Sequence, residues 1–230
     1  MSKQHPWEKE YSEQKLVTLG TGPSEDTKRF LKWLKKEKFD LENKVVLDTG
    51  CGNGKNAFYF AEKGARVVGY DVAKNVVAFA QKRAVEEGWK LEQVKFFVHD
   101  MSQKLPQIES ESVDVILDVT SSNALTSTER EIYLNECFRV LKKGGYMFVR
   151  TLCKDGDENA KYLIKNHPGP EKDMYKLLGT DIVERAFARE DLLATYKPYS
   201  KVKFLERIFH YPTFEGRIYK RAYWIMYLQK

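Results

Sequence analysis

Four aspartates end apolar runs in this chain, and the first leads into a glycine-rich turn. In Val45-Val46-Leu47-Asp48-Thr49-Gly50-Cys51-Gly52-Asn53-Gly54, glycines stand at alternate positions. That arrangement allows a tight strand-to-helix turn and lets main-chain N–H groups approach a ligand with no Cβ in the way. A second apolar run, Arg66 to Tyr70, ends in Asp71, about 20 residues beyond the first glycine, the spacing of a carboxylate that accepts ribose hydroxyls. A third, Val94 to His99, stops at Asp100. Lys55 stands where the dinucleotide fingerprint requires its last glycine, which argues against NAD. The chemistry these residues suggest is the holding of a nucleoside-bearing cofactor.

The elements that must position them follow from spacing and caps. Ser24 with Glu25 and Asp26 predicts a helix start, with the helix running to about Lys36. Helices are expected over 53–63, closed by Gly64, and over 74–87, closed by Gly88. Val113 to Leu117 reads as a strand stopping at Asp118. Thr126 and Glu129 are in capping-box register ahead of a helix that Lys142-Lys143-Gly144 should end. Tyr146 to Val149 follows as a fifth strand. Strands alternating with helices imply right-handed crossovers and a mostly parallel sheet covered on both faces, with a ligand at the strands' carboxyl ends. Lys203 to Tyr211 and Tyr223 to Leu228 read as an antiparallel pair joined by a turn around Phe214-Glu215-Gly216. At the amino terminus a turn is expected at 20–23, and Trp7, Glu8 and Tyr11 fall at helical spacing.

The run around Asp48, Gly50, Gly52 and Gly54 resembles motif I of the class I S-adenosylmethionine-dependent methyltransferases: an apolar strand, an acid two residues before the first glycine, then G-x-G-x-G. The resemblance covers roughly Asp40 to the end. It implies an α/β fold with a seven-stranded, Rossmann-like sheet, mostly parallel with a terminal antiparallel hairpin and helices on both faces. The chain then divides into an arm and helix at 1–39, on the lid and substrate side, and a methyltransferase domain at 40–230, in which 151–200 is the variable segment on the substrate side. The resemblance further implies that the cofactor-binding loop holds Asp48, Gly50, Gly52 and Gly54, with Gly50 and Gly52 beneath the donor's amino acid and ribose and Asp48 helping to fix the loop, and that Asp71 takes the two ribose hydroxyls. Val72 would lie along the adenine, Asp100 and the N–H of Met101 would meet its edge, and Asp118 and Val119 would line the donor and the substrate channel. The cofactor is then S-adenosylmethionine, leaving as S-adenosylhomocysteine. A helix around Glu184 to Leu192 is similar to the one such proteins carry before their sixth strand.

Methyl transfer is an in-line displacement that alignment alone accelerates strongly, and only a protonated acceptor needs a base. Asp118 and Tyr11 are the catalytic candidates, with His210 beside them; Tyr11 or Trp7 could instead face the sulfonium, or anchor the arm. Tyr162, His167 and Tyr175 are possible acceptor contacts. No Asn/Asp-Pro-Pro-aromatic tetrad follows the fourth strand, where Asp118-Val119-Thr120-Ser121 stands, and no Pro-Cys nucleophile is present. The resemblance therefore points to a small-molecule acceptor methylated at O, N or S. An RNA or protein methyltransferase and a non-catalytic donor-binding module are the alternatives.

Composition sets outer bounds. The 230 residues, 42% hydrophobic, suit one α/β domain. No apolar run approaches the roughly 18 residues of a membrane span, and a cytoplasmic protein without a membrane partner is expected. The net charge of +6 leaves nucleic acid possible but not favoured. The basic residues of 28–38 interleave with an apolar stripe and read as a solvated helix face. Cys51, Cys137 and Cys153 form no C-x-x-C pair, so neither a disulfide framework nor a metal site is expected.

Overall fold

A computed structural model of the protein describes residues 4–14, 20, 22–211, 213, 214 and 217–230. Its centre is a seven-stranded sheet built from β1 (Val45–Thr49), β2 (Arg66–Asp71), β3 (Val94–Val98), β4 (Val113–Val119), β5 (Leu141–Leu152), β8 (Lys201–His210) and β11 (Arg221–Gln229), in the order β3-β2-β1-β4-β5-β11-β8. The first five strands are parallel, and β11 is antiparallel to both β5 and β8. β8 therefore runs the same way as β1 to β5. The carboxyl ends of these six strands and the start of β11 share one edge, which gathers the glycine loop, Asp71, Asp100, Thr120, Arg150, His210 and Arg221.

Two layers of helices cover the sheet. On one face lie α2 (Glu25–Lys36), α3 (Lys55–Ala61) and α4 (Lys74–Glu86). Ser24 caps α2, its Oγ accepting from the Thr27 N–H at 3.1 Å, with acids in the first turn and lysines in the last, as the sequence requires. α2 buries Phe30 against Phe60, Phe148 and Tyr227, a side chain whose removal from water contributes about 2–3 kcal/mol. On the other face lie α5 (Ser127–Val140) and α7 (Arg189–Tyr196), packed through Tyr133, Leu134, Cys137, Phe138, Leu192 and Tyr196. The Thr126–Glu129 capping box forms.

The outline follows the expected seven strands; several boundaries do not. α5 ends at Val140, and Lys142-Lys143-Gly144 belong to β5. There the Lys142 Nζ donates to Asp114 at 2.8 Å, and the Gly144 N–H donates to the Lys230 carbonyl, tertiary partners that a terminating turn would not have. The helix expected from Glu184 begins only at Arg189. Val183–Arg185 is instead β7, paired antiparallel with β6 (Met174–Lys176), because Ala186 and Phe187 donate to the Asp173 and Leu152 carbonyls and hold the chain extended. Segment 151–200 thus carries α6 (Glu158–Asn166), the β6–β7 hairpin and α7. The connection from β8 to β11 contains a small pair, β9 (Thr213–Phe214) and β10 (Arg217–Ile218). Glu215 and Gly216 of the turn expected there, and Thr21 of the turn expected at 20–23, lie outside the described residues.

Helix α1 (Pro6–Glu13) confirms the helical spacing of Trp7, Glu8 and Tyr11. It lies against α4, where Asn75 Nδ2 donates to the Glu8 carbonyl at 2.8 Å and to Ser12 Oγ at 2.9 Å.

Candidate active site

The turn after β1 depends on its glycines. Gly50 and Gly52 sit at φ +64° and +53°, the left-handed region that strains other residues. A Cβ on Gly50 would collide with Ser121 Cβ, and one on Gly52 would lie 3.0 Å from Tyr11 Oη. A Cβ on Gly54 would meet the rings of Phe58 and Phe96. The Cys51 N–H donates to the Tyr70 carbonyl at 2.9 Å, which ties the loop to the end of β2.

Asp71 closes the same turn. Its Oδ2 accepts from the Gly52 N–H and its Oδ1 from the Ala73 N–H, both at 3.0 Å, and the residue is 6% exposed. Burial raises its pKa, partly offset by these backbone donors. Asp48 is 2% exposed, and its Oδ2 has no hydrogen-bond partner. Burial, then the charge of Asp71, raises its pKa to about 7. An orphaned buried oxygen, a glycine cradle and a carboxylate at ribose spacing together fit S-adenosylmethionine, whose donor portion is cationic.

The remaining expected residues group around this loop. A cavity of about 610 Å³ is lined by Val72 and Asp100 with Gln4, His5, Glu8, Lys74, Val98 and His99. Asp100 Oδ1 accepts from the Ser102 N–H at 2.8 Å. The Met101 methyl lies 3.3 Å from where a Gly50 Cβ would stand. Val119 packs on the α2 face of the sheet. Asp118 is 1% exposed; its Oδ1 accepts from Ser121 Oγ at 2.7 Å and from the Ser122 N–H at 3.1 Å, while its Oδ2 is unpartnered. Asp118 thereby braces the 3-10 turn Ser122–Ala124 that Gly50 abuts.

Tyr11 reaches over Gly52 from α1. Burial, then the charges of Asp71, Cys51 and Asp48, holds its pKa well above the ordinary phenol value. A phenol kept protonated donates hydrogen bonds and is a poor base at neutral pH. The thiol of Cys51 is also pushed well up by burial and the same carboxylates, the setting of an inert packing group.

α1 also borders a second cavity of about 620 Å³, shared with the β6–β7 hairpin and lined by Pro6, Lys9, Glu10, His167, Leu177 and Thr180 among others. Tyr175 is fully buried beside it in sequence, and Tyr162 is exposed. His210 Nε2 stands 3.5 Å from Asp26 Oδ2, which also accepts from Arg150 Nε at 3.0 Å. Spacing alone revealed neither this Asp26 group nor the contacts of Glu184 described below, because their partners come from distant elements. Among the described residues no three His, Cys, Asp or Glu side chains cluster as metal ligands, and no helix is long and apolar enough to cross a membrane.

A family model described as a methyltransferase domain matches residues 40–190. The chain belongs to that methyltransferase family. It is an S-adenosylmethionine-dependent enzyme of the class I fold. Similar curated proteins include ubiquinone biosynthesis O-methyltransferases of Pseudomonas fluorescens SBW25 and Pseudomonas syringae pv. syringae, each 27% identical over 177 residues, 72% of this chain and 74% of the relative. Among solved structures, an S-adenosylmethionine-dependent methyltransferase of Methanosarcina mazei superposes with a TM-score of 0.72 at 19% identity, covering 85% of this chain and 96% of that one. The 1,6-didemethyltoxoflavin N1-methyltransferase of Burkholderia thailandensis, solved with S-adenosylhomocysteine, superposes with a TM-score of 0.70 at 18% identity, covering 97% and 85%. The methyltransferase likewise shares their fold.

Proposed function

We propose that this methyltransferase acts on a small molecule at O, N or S, in the cytoplasm, where unpaired cysteines such as its three buried ones persist. The observation that carries the acceptor class is the cavity of about 620 Å³ between α1 and the β6–β7 hairpin. Its volume is that of a small-ligand site, and the helix that forms its wall also places Tyr11 over the glycine loop. The names of the O- and N-methyltransferases it resembles agree with this reading.

The donor supplies an electrophilic methyl carbon on a sulfonium. The chain's own work is to hold and align. Asp71 accepts the ribose hydroxyls with lone pairs not used by the Gly52 and Ala73 N–H groups. Asp100 and the Met101 N–H meet the adenine edge, with Val72 along its face. Gly50 and Gly52 let the backbone approach, and the unpartnered Asp48 oxygen faces the donor's positive charge. Asp118 supports the loop, Val119 borders the channel, and Tyr11 donates a hydrogen bond while α1 excludes water. Orientation of this kind supplies effective molarities of roughly 10⁵ M or more. In this reading residues 1–39 serve as a cover, 40–230 as the transferring domain, and 151–200 as the acceptor side.

The test is transfer of labelled methyl from S-adenosylmethionine into cell extract, desalted and undesalted, with nuclease- and protease-treated controls. Label that requires the small-molecule fraction is expected. Label lost with nuclease or protease moves the acceptor to RNA or protein, and donor binding without label indicates a non-catalytic module.

A further inference from the structure

A chain of polar contacts crosses the acceptor side of the sheet edge and ends in one carboxylate. Asp157 Oδ2 accepts from Arg221 Nε at 3.2 Å, and Arg221 Nη2 donates to Tyr175 Oη at 3.0 Å. Tyr175 Oη donates to Glu184 Oε2 at 2.9 Å, and Asn123 Nδ2 donates to Glu184 Oε1 at 3.0 Å. Four elements therefore fix Glu184: β11, β6, its own strand β7, and the turn after β4. Each carboxylate oxygen has two lone pairs, and these contacts leave one on each oxygen for a ligand. Asn123 beside it is fully buried, yet its Oδ1 has no partner. An acceptor-only carboxylate next to an orphaned amide oxygen is a setting that calls for a donor hydrogen from outside the protein.

Its place in the sheet decides between this group and the other candidate bases. Asn123 lies four residues past the end of β4, the strand paired with β1, and Ser121 of the same turn stands where a Cβ on Gly50 of the β1 loop would collide with it. His210 lies on β8, four strands from β1 and about 19 Å along the sheet. A base must come within about 3 Å of the proton it removes, and the donor loop follows β1. Asp118 spends one oxygen on the Ser121–Ser122 turn and is enclosed, and Tyr11 is held protonated.

We propose that Glu184 is the general base of the transfer, taking the proton from an acceptor that carries an O–H or N–H at the reacting atom, with Tyr175 and Asn123 as its positioning residues. The inference rests on the small-molecule reading above. As the acceptor oxygen or nitrogen forms its bond to the methyl carbon, the C–S pair stays on sulfur; the acceptor's O–H or N–H pair stays on the acceptor, and the proton passes to Glu184. Burial raises the pKa of Glu184; Arg221, the Tyr175 hydroxyl and the Asn123 amide oppose this. That shift moves the group toward the pKa range in which a base works at neutral pH.

The test compares wild type, Glu184→Gln and Tyr175→Phe. The first readout is labelled methyl entering the small-molecule fraction of cell extract. The second is the absorbance of 4-nitrocatechol, a phenol that absorbs at longer wavelength once ionised, bound to the S-adenosylhomocysteine complex. Glu184→Gln is expected to bind S-adenosylhomocysteine as wild type does, to lose about 100-fold or more of transfer, and to abolish the long-wavelength shift. In wild type, kcat/KM falls as pH drops through the raised pKa of Glu184, and this limb is absent in Glu184→Gln. Tyr175→Phe removes a donor to the anion, so its acid limb moves to higher pH; this variant keeps the idea testable if Glu184→Gln does not fold. Equal label with wild type and Glu184→Gln, or 4-nitrocatechol that binds the wild-type complex without the shift, overturns the assignment alone. Label that wild type puts only into RNA, protein or nothing overturns the small-molecule reading and the assignment with it.

Discussion

Asp71→Ala separates two duties that one carboxylate performs. The side chain accepts from the Gly52 and Ala73 N–H groups at 3.0 Å each and is 6% exposed. Its removal leaves two buried donors unsatisfied, at about 1–3 kcal/mol each. Stability should fall by about 2–6 kcal/mol, which for a chain of this size lowers Tm by roughly 5–20 °C. Donor affinity falls separately. Two ribose hydroxyls bonded to a charged acceptor contribute about 1.5–3 kcal/mol each, so S-adenosylhomocysteine should bind about 10²- to 10⁴-fold more weakly. Asp71→Asn retains one acceptor oxygen, leaves the other backbone N–H without an acceptor and loses the charge, so it should cost about 1–3 kcal/mol of stability and bind about 10- to 100-fold more weakly. Isothermal titration gives the affinity, and thermal unfolding without ligand gives the stability. A folded Asp71→Ala or Asp71→Asn that binds S-adenosylhomocysteine within twofold of wild type would refute the ribose assignment.

Two further outcomes follow from the same loop. Asp48 has a folded pKa of about 7 against an ordinary value of 3.8, so the folded state binds more protons between those values and stability declines as pH rises from about 4 to 7; Asp48→Asn should remove that decline in denaturant titrations at pH 5 and 8. If Asp48 faces the donor cation as proposed, wild type should lose S-adenosylmethionine affinity as pH falls below 7, and the same variant should flatten that loss. Gly50→Ala forces both a left-handed alanine and displacement of Ser121, whose Oγ lies 2.7 Å from both Thr49 O and Asp118 Oδ1 with one hydrogen to share between them. It should cost about 3 kcal/mol or more, whereas Gly52→Ala meets only the tip of Tyr11 and should cost about 1–2 kcal/mol, a ranking that chemical denaturation checks.

Much of the glycine turn and of α2 was legible because it is local: the glycines and the cap are set by residues within a few positions of one another, and backbone geometry and capping act over that range. Asp71 was legible from the length of one strand-helix-strand unit. Asp71 also pins the glycine turn through the Gly52 N–H, a structural duty that its spacing did not reveal. The end of α5 and the start of α7 were misread where long-range bonds overrode local signals: Lys142 reaches Asp114, and Phe187 reaches Leu152.

The sequence by itself determined the class of fold and the glycine turn with the acids that end its strands, since periodicity, glycine placement and strand-end acids are properties of contiguous chain. Only the tertiary structure decided that Tyr11 covers Gly52, that Asp118 is enclosed, and that Glu184 lies on a strand beside Asn123, 61 residues away in sequence. Burial and partner geometry set whether an acid braces a loop or accepts a proton, and both arise from side chains that meet only when the sheet's edge is assembled.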